Sequence, residues 1–496
     1  MECVTPTHEL VNGRVTLQPE RRILTNTAVL GIGEAVGQVA GVVFVIACGR
    51  AYGTGVLGWY SMGMAVGAIA AVLVSLGTDS WLLRELSRHP EHSAQRIGGT
   101  LPYQLALSAL VLAVVLGLLF VFVDDPAGRW IVAAITVYHV VLTAASLLLI
   151  PFRARQIMWP SAAASAAKRA GVVLVAVPLI LFGISPSPVF AAFPVTAVLI
   201  AGIVFVAANR FLGDRLGRRS NSPREQRALY TEALPFFGTA ALDALYGRLG
   251  LLVLAMIAGE ESTGIYSAAD RLLVVVSVFR VLFIAALYPA VAHFAATDRA
   301  RALELSNRCM RLMLVLTVPA AGLIAIFHRE IISLLFGAAF EQSALVLLLL
   351  TPLLIIRGIN GLWSSQAAAV GLQRSVVRIR ALTVALFAIA SAVFVTFAGA
   401  AGLALALLLS ECVYAIALRV PLARVNFLAR VLPVIAKPLI ATLAGGVVYV
   451  ATAAVALPLR AVAVAAVVIA AIFLTGAVRA HDLKYLQSIL RFKSSP

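Results

Sequence analysis

The residues of this sequence that could do chemistry are charged and polar side chains set inside long apolar runs. The first half has Glu34 with Gln38 one helical turn later, then Asp79 and His139; the second half has Asp243, Arg248, Asp270, Arg271, Arg280, Arg357 with Asn360, and Glu411. An ionised group in an apolar phase needs a partner or a wet cavity, because each one costs about 2.5–3.5 kcal/mol at the centre of a bilayer. Acids and arginines could therefore neutralise one another as ion pairs. Any arginine left over presents a positive surface, and the surplus lies in the second half.

Other chemistries find few residues. No GxxxxGK[ST] occurs and none of the four lysines follows a glycine, so no nucleotide-binding loop of that type is present and no catalytic motif stands out. Cys3, Cys48, Cys309 and Cys412 are scattered without CxxC spacing, which argues against a disulfide framework or a cysteine metal site. His89-Pro90-Glu91-His92 looks like a metal pair, but Pro90 breaks the helix that would align the two imidazoles. Neither an enzyme nor a cofactor or metal site is expected.

The elements that must hold the buried charges follow from composition. Of 496 residues, 61% are apolar and 12% charged, with a mean hydropathy of +0.99, whereas soluble domains are roughly half apolar and a quarter charged. No soluble interior could hide this excess. The chain reads as an all-α polytopic membrane protein without a large extramembrane domain. A bilayer core takes about 20 apolar residues per helix, and fourteen runs qualify: 25–48, 56–82, 97–123, 130–151, 160–182, 187–208, 229–258, 264–292, 310–327, 343–370, 379–397, 401–419, 431–453 and 459–478. Residues 1–22 lack the apolar middle of a cleavable signal, so the first run is expected to be a retained helix.

A net charge of +17 would suggest nucleic acid in a soluble protein, but here position decides. With the N-terminus inside, 30 of the 39 Lys and Arg fall in the inner segments, 4 in the outer loops and the remainder within spans. By the positive-inside rule both termini are cytoplasmic. The expected organisation is a tail at 1–22, six spans over 23–208, a basic linker at 209–228 beside anionic lipid, six spans over 229–420, two more over 421–480 and a tail at 481–496. No nucleic-acid partner is expected. Lys437 lies near the inner end of its span and is expected to snorkel to the interface.

Two details place the charges further. Spans seven and eight form a hairpin turning between 258 and 264, so residues whose numbers add to about 522 lie level: Asp243 with Arg280, and Arg248 with Asp270. Those four are expected as two structural ion pairs, which leaves Arg271 and Arg357 without local partners. Pro235 and Pro352 are hinge candidates within spans seven and ten. The chain also repeats itself. Gly58-Trp59-Tyr60-Ser61 returns 206 residues later as Gly264-Ile265-Tyr266-Ser267, and Gly53 falls on Gly259. The glycines suit a tight outer turn, since glycine alone adopts positive φ freely, and the tyrosines suit the interfacial aromatic belt. Two parallel six-helix lobes related by a pseudo-twofold imply a cleft between them, the architecture of alternating-access transporters.

These turns, with Leu76-Gly77, the run from Gly264 through Ala268-Ala269-Asp270-Arg271-Leu272, and Leu287-Tyr288-Pro289, make the chain resemble the multidrug, oligosaccharidyl-lipid and polysaccharide exporter superfamily, specifically its polysaccharide flippase branch. The resemblance covers residues 20–420. It implies a flippase of the bacterial inner membrane that carries a polyprenyl-diphosphate-linked oligosaccharide outward for surface polysaccharide, with membrane lipids, a polysaccharide polymerase and glycosyltransferases as partners. Arg271, Arg357, Arg280, Arg248 and Asn360 would then face the diphosphate, to which arginine offers paired charge-assisted donors. Glu34, Asp243, Asp270 and Glu411 would serve as coupling or ion-pair residues. Two alternatives remain. The lipid II flippases also have fourteen spans but carry cations on their first two helices as well as the eighth, whereas the first lobe here offers only Arg50 near the outer surface. The multidrug antiporters have twelve spans and an acidic coupling site, which Glu34 could imitate.

Overall fold

The computed structural model describes residues 19–213 and 222–476, with side chains from residue 37 onward except at 223, 239 and scattered positions between 275 and 290. Cys3, the side chain of Glu34, the C-terminal tail, most of the N-terminal tail and residues 214–221 of the basic linker lie outside the described residues. Fifteen α-helices follow in chain order: α1 (Pro19–Ser75), α2 (Thr78–Arg88), α3 (Ser93–Phe122), α4 (Pro126–Ser146), α5 (Ile150–Ala154), α6 (Trp159–Leu181), α7 (Pro186–Phe211), α8 (Pro223–Thr297), α9 (Arg299–Ile326), α10 (His328–Phe336), α11 (Gln342–Leu350), α12 (Pro352–Ala369), α13 (Gln373–Arg424), α14 (Leu432–Ala451) and α15 (Leu457–Leu474). No strand occurs among the described residues.

Local chemistry sets several of the starts. Ser222 and Glu225 close a capping box around Pro223 to open α8. The Asp125 carboxylate accepts from the Ala127 and Gly128 amides at 3.1 and 2.8 Å to open α4, and Asp298 accepts from the Arg301 amide at 3.0 Å to open α9.

Among the described residues, eleven stretches are long and apolar enough to cross a membrane by length and composition, and the chain is a multi-pass membrane protein. This is fewer than the fourteen expected spans, for a physical reason. Three helices run unbroken through a junction where a turn between two spans was expected, and each has one glycine with positive φ there: Gly53 at 80°, Gly259 at 78° and Gly399 at 50°. A straight helix of 57 residues, the length of α1, would reach about 85 Å, far beyond a bilayer. Instead α1 doubles back at Gly53, and Phe44 and Tyr60 from its two legs pack with ring centroids 5.1 Å apart. The count of fourteen is thus a reading of the sequence that helix boundaries do not by themselves fix. Pro352 splits the expected tenth span into α11 and α12, while Pro235 leaves α8 continuous.

The main contact between the two halves is α1 against α8, and the repeated motif forms it. A Cβ at Gly58 would lie 1.8 Å from the Glu260 carbonyl oxygen, and one at Gly264 would lie 2.0 Å from the Thr54 carbonyl oxygen. Thr54 and Glu260 are themselves 206 residues apart, so the contact is reciprocal, as a pseudo-twofold requires. This refines the expected use of the glycines: positive φ belongs to Gly53 and Gly259, while Gly58 and Gly264 sit within helix and permit close approach. At this same end Arg50 reaches across to α10, donating to the Leu335 and Leu334 carbonyls at 2.9 and 2.6 Å. At the opposite end α2 meets the start of α8, where Trp81 Nε1 donates to Glu232 at 2.9 Å and Arg84 lies over the Phe236 ring. The halves therefore touch on both sides of the space between them. The last two helices, α14 and α15, pack on each other and on α9. Lys437 donates to the Gly476 carbonyl at 3.3 Å, beyond the end of α15.

Candidate functional site

Between the halves lies a cavity of about 490 Å³. Among the described residues five cations line it: Arg153 on α5, Lys168 and Arg169 on α6, and Arg248 and Arg271 on α8. Asp79, in the first turn of α2, and His139 on α4 line it as well. Arg271 is held close to α1 at Gly41, where a Cβ would stand 3.1 Å from its Nη2. Its Nη2 donates to Tyr60 Oη at 3.4 Å, and its buried Nε has no partner among the described residues. Arg153 donates to Ser161 Oγ at 2.8 Å. Arg248 makes no hydrogen bond and no ion pair within 4.0 Å among the described residues, although Asp270 and Arg271 border the same small space.

A second cavity, of about 520 Å³, is lined mostly by the second half, with Asp243, Arg248, Asp270, Arg357, Tyr246 and Tyr266, and is closed on one side by Ala68 and Val72 of α1. Arg248 faces both cavities. Beyond the second cavity Glu411 is almost fully buried, at 2% exposure. Its carboxylate accepts from Tyr246 Oη at 2.7 Å, Asn360 Nδ2 at 2.7 Å and Arg357 Nε at 3.2 Å. Arg380 stands 3.9 Å away and lies over the Tyr246 and Tyr414 rings. Arg280 approaches α12, where a Cβ at Gly361 would lie 3.7 Å from its Nη1.

The structure corrects several expectations. Arg357 is not unpaired: residues 54 apart in sequence, Arg357 on α12 and Glu411 on α13, meet in the fold. Arg271 and Arg357 line adjoining cavities that share Val72 and Arg248. Neither expected ion pair forms within 4.0 Å. The turn of α8 is centred on Gly259, so level residues add to about 518, which places Asp243 about five residues, or about 7.5 Å of helix, from the level of Arg280. Arg248 and Asp270 are level, but the Arg248 side chain reaches the first cavity instead. Asn360 serves Glu411 rather than an open cleft.

The first half is also richer in cations than expected. Arg153, Lys168 and Arg169 read in sequence as flanking charges of an inner loop, yet Lys168 and Arg169 lie on α6 and all three face the cavity. Their signal was position: Lys168 and Arg169 fall eight and nine residues into an apolar run that begins at 160, too deep for a simple flank. The Pro90 turn holds a further surprise. Its 3₁₀ geometry brings ligand atoms of His89, Glu91 and His92 within 4.8 Å of one another on the exposed surface, so Pro90 gathers these groups instead of separating them.

Comparison with known proteins agrees with this architecture. The structure is similar to the lipid II flippase MurJ in an inward closed conformation, with a TM-score of 0.69, 13% identity, and coverage of 92% of this chain and 99% of that one. It is similar to an inward-facing multidrug resistance MATE transporter of the MOP superfamily, with a TM-score of 0.61, 15% identity, and coverage of 79% and 95%. The MATE multidrug transporter DinF-BH is also similar, with a TM-score of 0.56, 15% identity, and coverage of 85% and 99%. At these identities the likeness concerns the fold. No curated protein matches the chain in sequence. Residues 23–295 match the family model described as polysaccharide biosynthesis protein. This match spans more than half of the chain, including the repeated turns and both cation-bearing legs of α8, and the chain therefore belongs to the polysaccharide biosynthesis protein family, with a MOP-type transporter fold.

Proposed function

We propose that this protein is a flippase for a polyprenyl-diphosphate-linked oligosaccharide, working by alternating access, and that the cavity between the halves receives the diphosphate. The observation that carries this reading is the ring of Arg153, Lys168, Arg169, Arg248 and Arg271 around one cavity. Partly desolvated cations are costly in the empty protein, and an anion that enters offsets that cost, so binding favours closure of the halves around cargo. Guanidinium groups match phosphate oxygens with two parallel donors. Arg357 and Asn360 act one step removed, holding the second half together through Glu411. A cationic cavity of this kind is a poor host for cationic drugs, which sets the antiporter reading aside.

The reading places the protein in the bacterial inner membrane with both termini inside and fourteen crossings, the first six and the next six forming two lobes joined by the basic linker. Enzymes that build and polymerise the glycan would be its neighbours. Lipid II is the second reading, and one observation favours it. Arg153, Lys168 and Arg169 of the first half do face the cavity, from α5 and α6 although not from the first two spans, which weakens the case against that cargo. Depletion of the protein in its host, followed by analysis of lipid-linked saccharides, separates the two. Accumulation of a surface-polysaccharide intermediate supports the first reading, and accumulation of lipid II supports the second.

A further inference from the structure

The walls of the cavity differ in chemistry. The cations of α6 and α8 suit phosphate, but Asp79 does not, because a carboxylate and a phosphate both only accept and repel each other. Yet Asp79 borders the same space. Its Oδ2 lies 3.0 Å from Ser146 Oγ, which also lies 2.7 Å from the Thr143 carbonyl. A hydroxyl has one proton, so it cannot fully serve both acceptors. Asp79 Oδ1 and His139 Nε2 are buried and have no partner among the described residues. Buried polar atoms of this sort are uncommon, and each calls for an occupant. His139, Thr143 and Ser146 recur at helical spacing along one face of α4, so Asp79 and these three share a wall. Gly67 on α1 leaves room for the imidazole, since a Cβ there would lie 2.6 Å from His139 Cδ2. The floor between the two walls is aromatic: Phe193 packs against Phe44, Tyr60 and Tyr138 with centroids 5.4 to 6.1 Å apart.

A carboxylate short of donors, an imidazole short of a partner and an aromatic floor together fit a sugar ring, whose hydroxyls donate to the acid and whose C–H face lies on the rings. We propose that Asp79 and His139 form a hydroxyl-binding subsite for the pyranose next to the diphosphate, and that this wall selects glycosylated over bare polyprenyl diphosphate. The proposal rests on the diphosphate reading above. It also orients the cargo, with phosphates toward Arg248 and Arg271 and sugar toward α2.

The test is binding of two short-chain probes to the full-length protein in nanodiscs: farnesyl diphosphate, and farnesyl diphosphate carrying glucose or N-acetylglucosamine. The wild type should bind at least one glycosylated probe about tenfold more tightly than the bare one, the size of a single charge-assisted hydrogen bond. Asp79→Asn should erase that preference while bare farnesyl diphosphate binds as tightly as before or more tightly, and His139→Ala should reduce it in the same sense. Retained binding of the bare probe also reports that the variants are folded. Equal affinity of the wild type for all probes would overturn the subsite, as would an unchanged preference in Asp79→Asn or equal weakening of every probe. Failure of the wild type to bind any probe would instead overturn the diphosphate reading.

Discussion

Gly58 and Gly264 each press against the backbone of the opposite half, Gly58 on the Glu260 carbonyl and Gly264 on the Thr54 carbonyl. Because Thr54 and Glu260 are repeat-related like the glycines, one interaction is made twice across the pseudo-twofold. A methyl at either glycine would come within 1.8 or 2.0 Å of a backbone oxygen, which cannot swing aside as a side chain can. Overpacking of this kind costs about 1–3 kcal/mol, enough to lower the population of the closed end by about 5- to 150-fold.

Gly58→Ala and Gly264→Ala should therefore each hold the halves apart at this end. Spin labels at the exposed Ser185 and Glu341 would read the separation. A longer mean distance is expected in both variants, and distributions superimposable on the wild type would show that this contact does not set the closed state.

Glu411 gives a second prediction, on stability. Glu411→Ala strands Arg357 and leaves Arg380, 3.9 Å from the same carboxylate, without its counter-charge, a loss of about 3–5 kcal/mol for a broken buried pair. Removing Arg357 as well relieves part of that loss. Melting temperatures should fall in the order wild type, Arg357→Ala with Glu411→Ala, then Glu411→Ala alone. A double variant less stable than the single one would show that Arg357 does not depend on Glu411 for its charge balance.

Topology is tested by labelling. Cysteines replacing Ser185 and Glu341 should react with an impermeant thiol reagent applied outside the cell, and cysteines replacing Glu91 and Arg301 should not. All four positions are exposed, so a silent site reports its side of the membrane and not burial. Labelling of Arg301→Cys from outside would reverse the orientation.

Much of the fold was legible because the bilayer imposes length and hydropathy on each crossing. The expected runs 97–123, 160–182 and 187–208 coincide closely with α3, α6 and α7. The repeat was legible too, since Gly58 and Gly264 stand in equivalent places, but its physical use was not: sequence shows that a glycine is present, not whether φ or close approach requires it. The site was less legible. Arg357 looked unpaired because Glu411 is remote in sequence and reaches it only through tertiary packing of α12 on α13. The hairpin estimate for Asp243 and Arg280 failed over a turn centre displaced by two residues, which doubles to a shift of about four in the level partner. Lys168 and Arg169 were absorbed into an inner loop because charge near a span end is ordinarily a topology signal.

The central claim is that Arg248 and Arg271 hold the diphosphate of the cargo. It is tested most directly by translocation of a fluorescent polyprenyl-diphosphate glycan in proteoliposomes, with protein incorporation and melting temperature followed in parallel. Arg271→Lys should retain partial transport, since it keeps the charge and loses the paired donors. Arg271→Ala and Arg248→Ala should each be slower by about tenfold to a hundredfold, as expected for loss of charge-assisted hydrogen bonds. Wild-type rates from well-incorporated, stable Arg271→Ala and Arg248→Ala proteins would contradict the account.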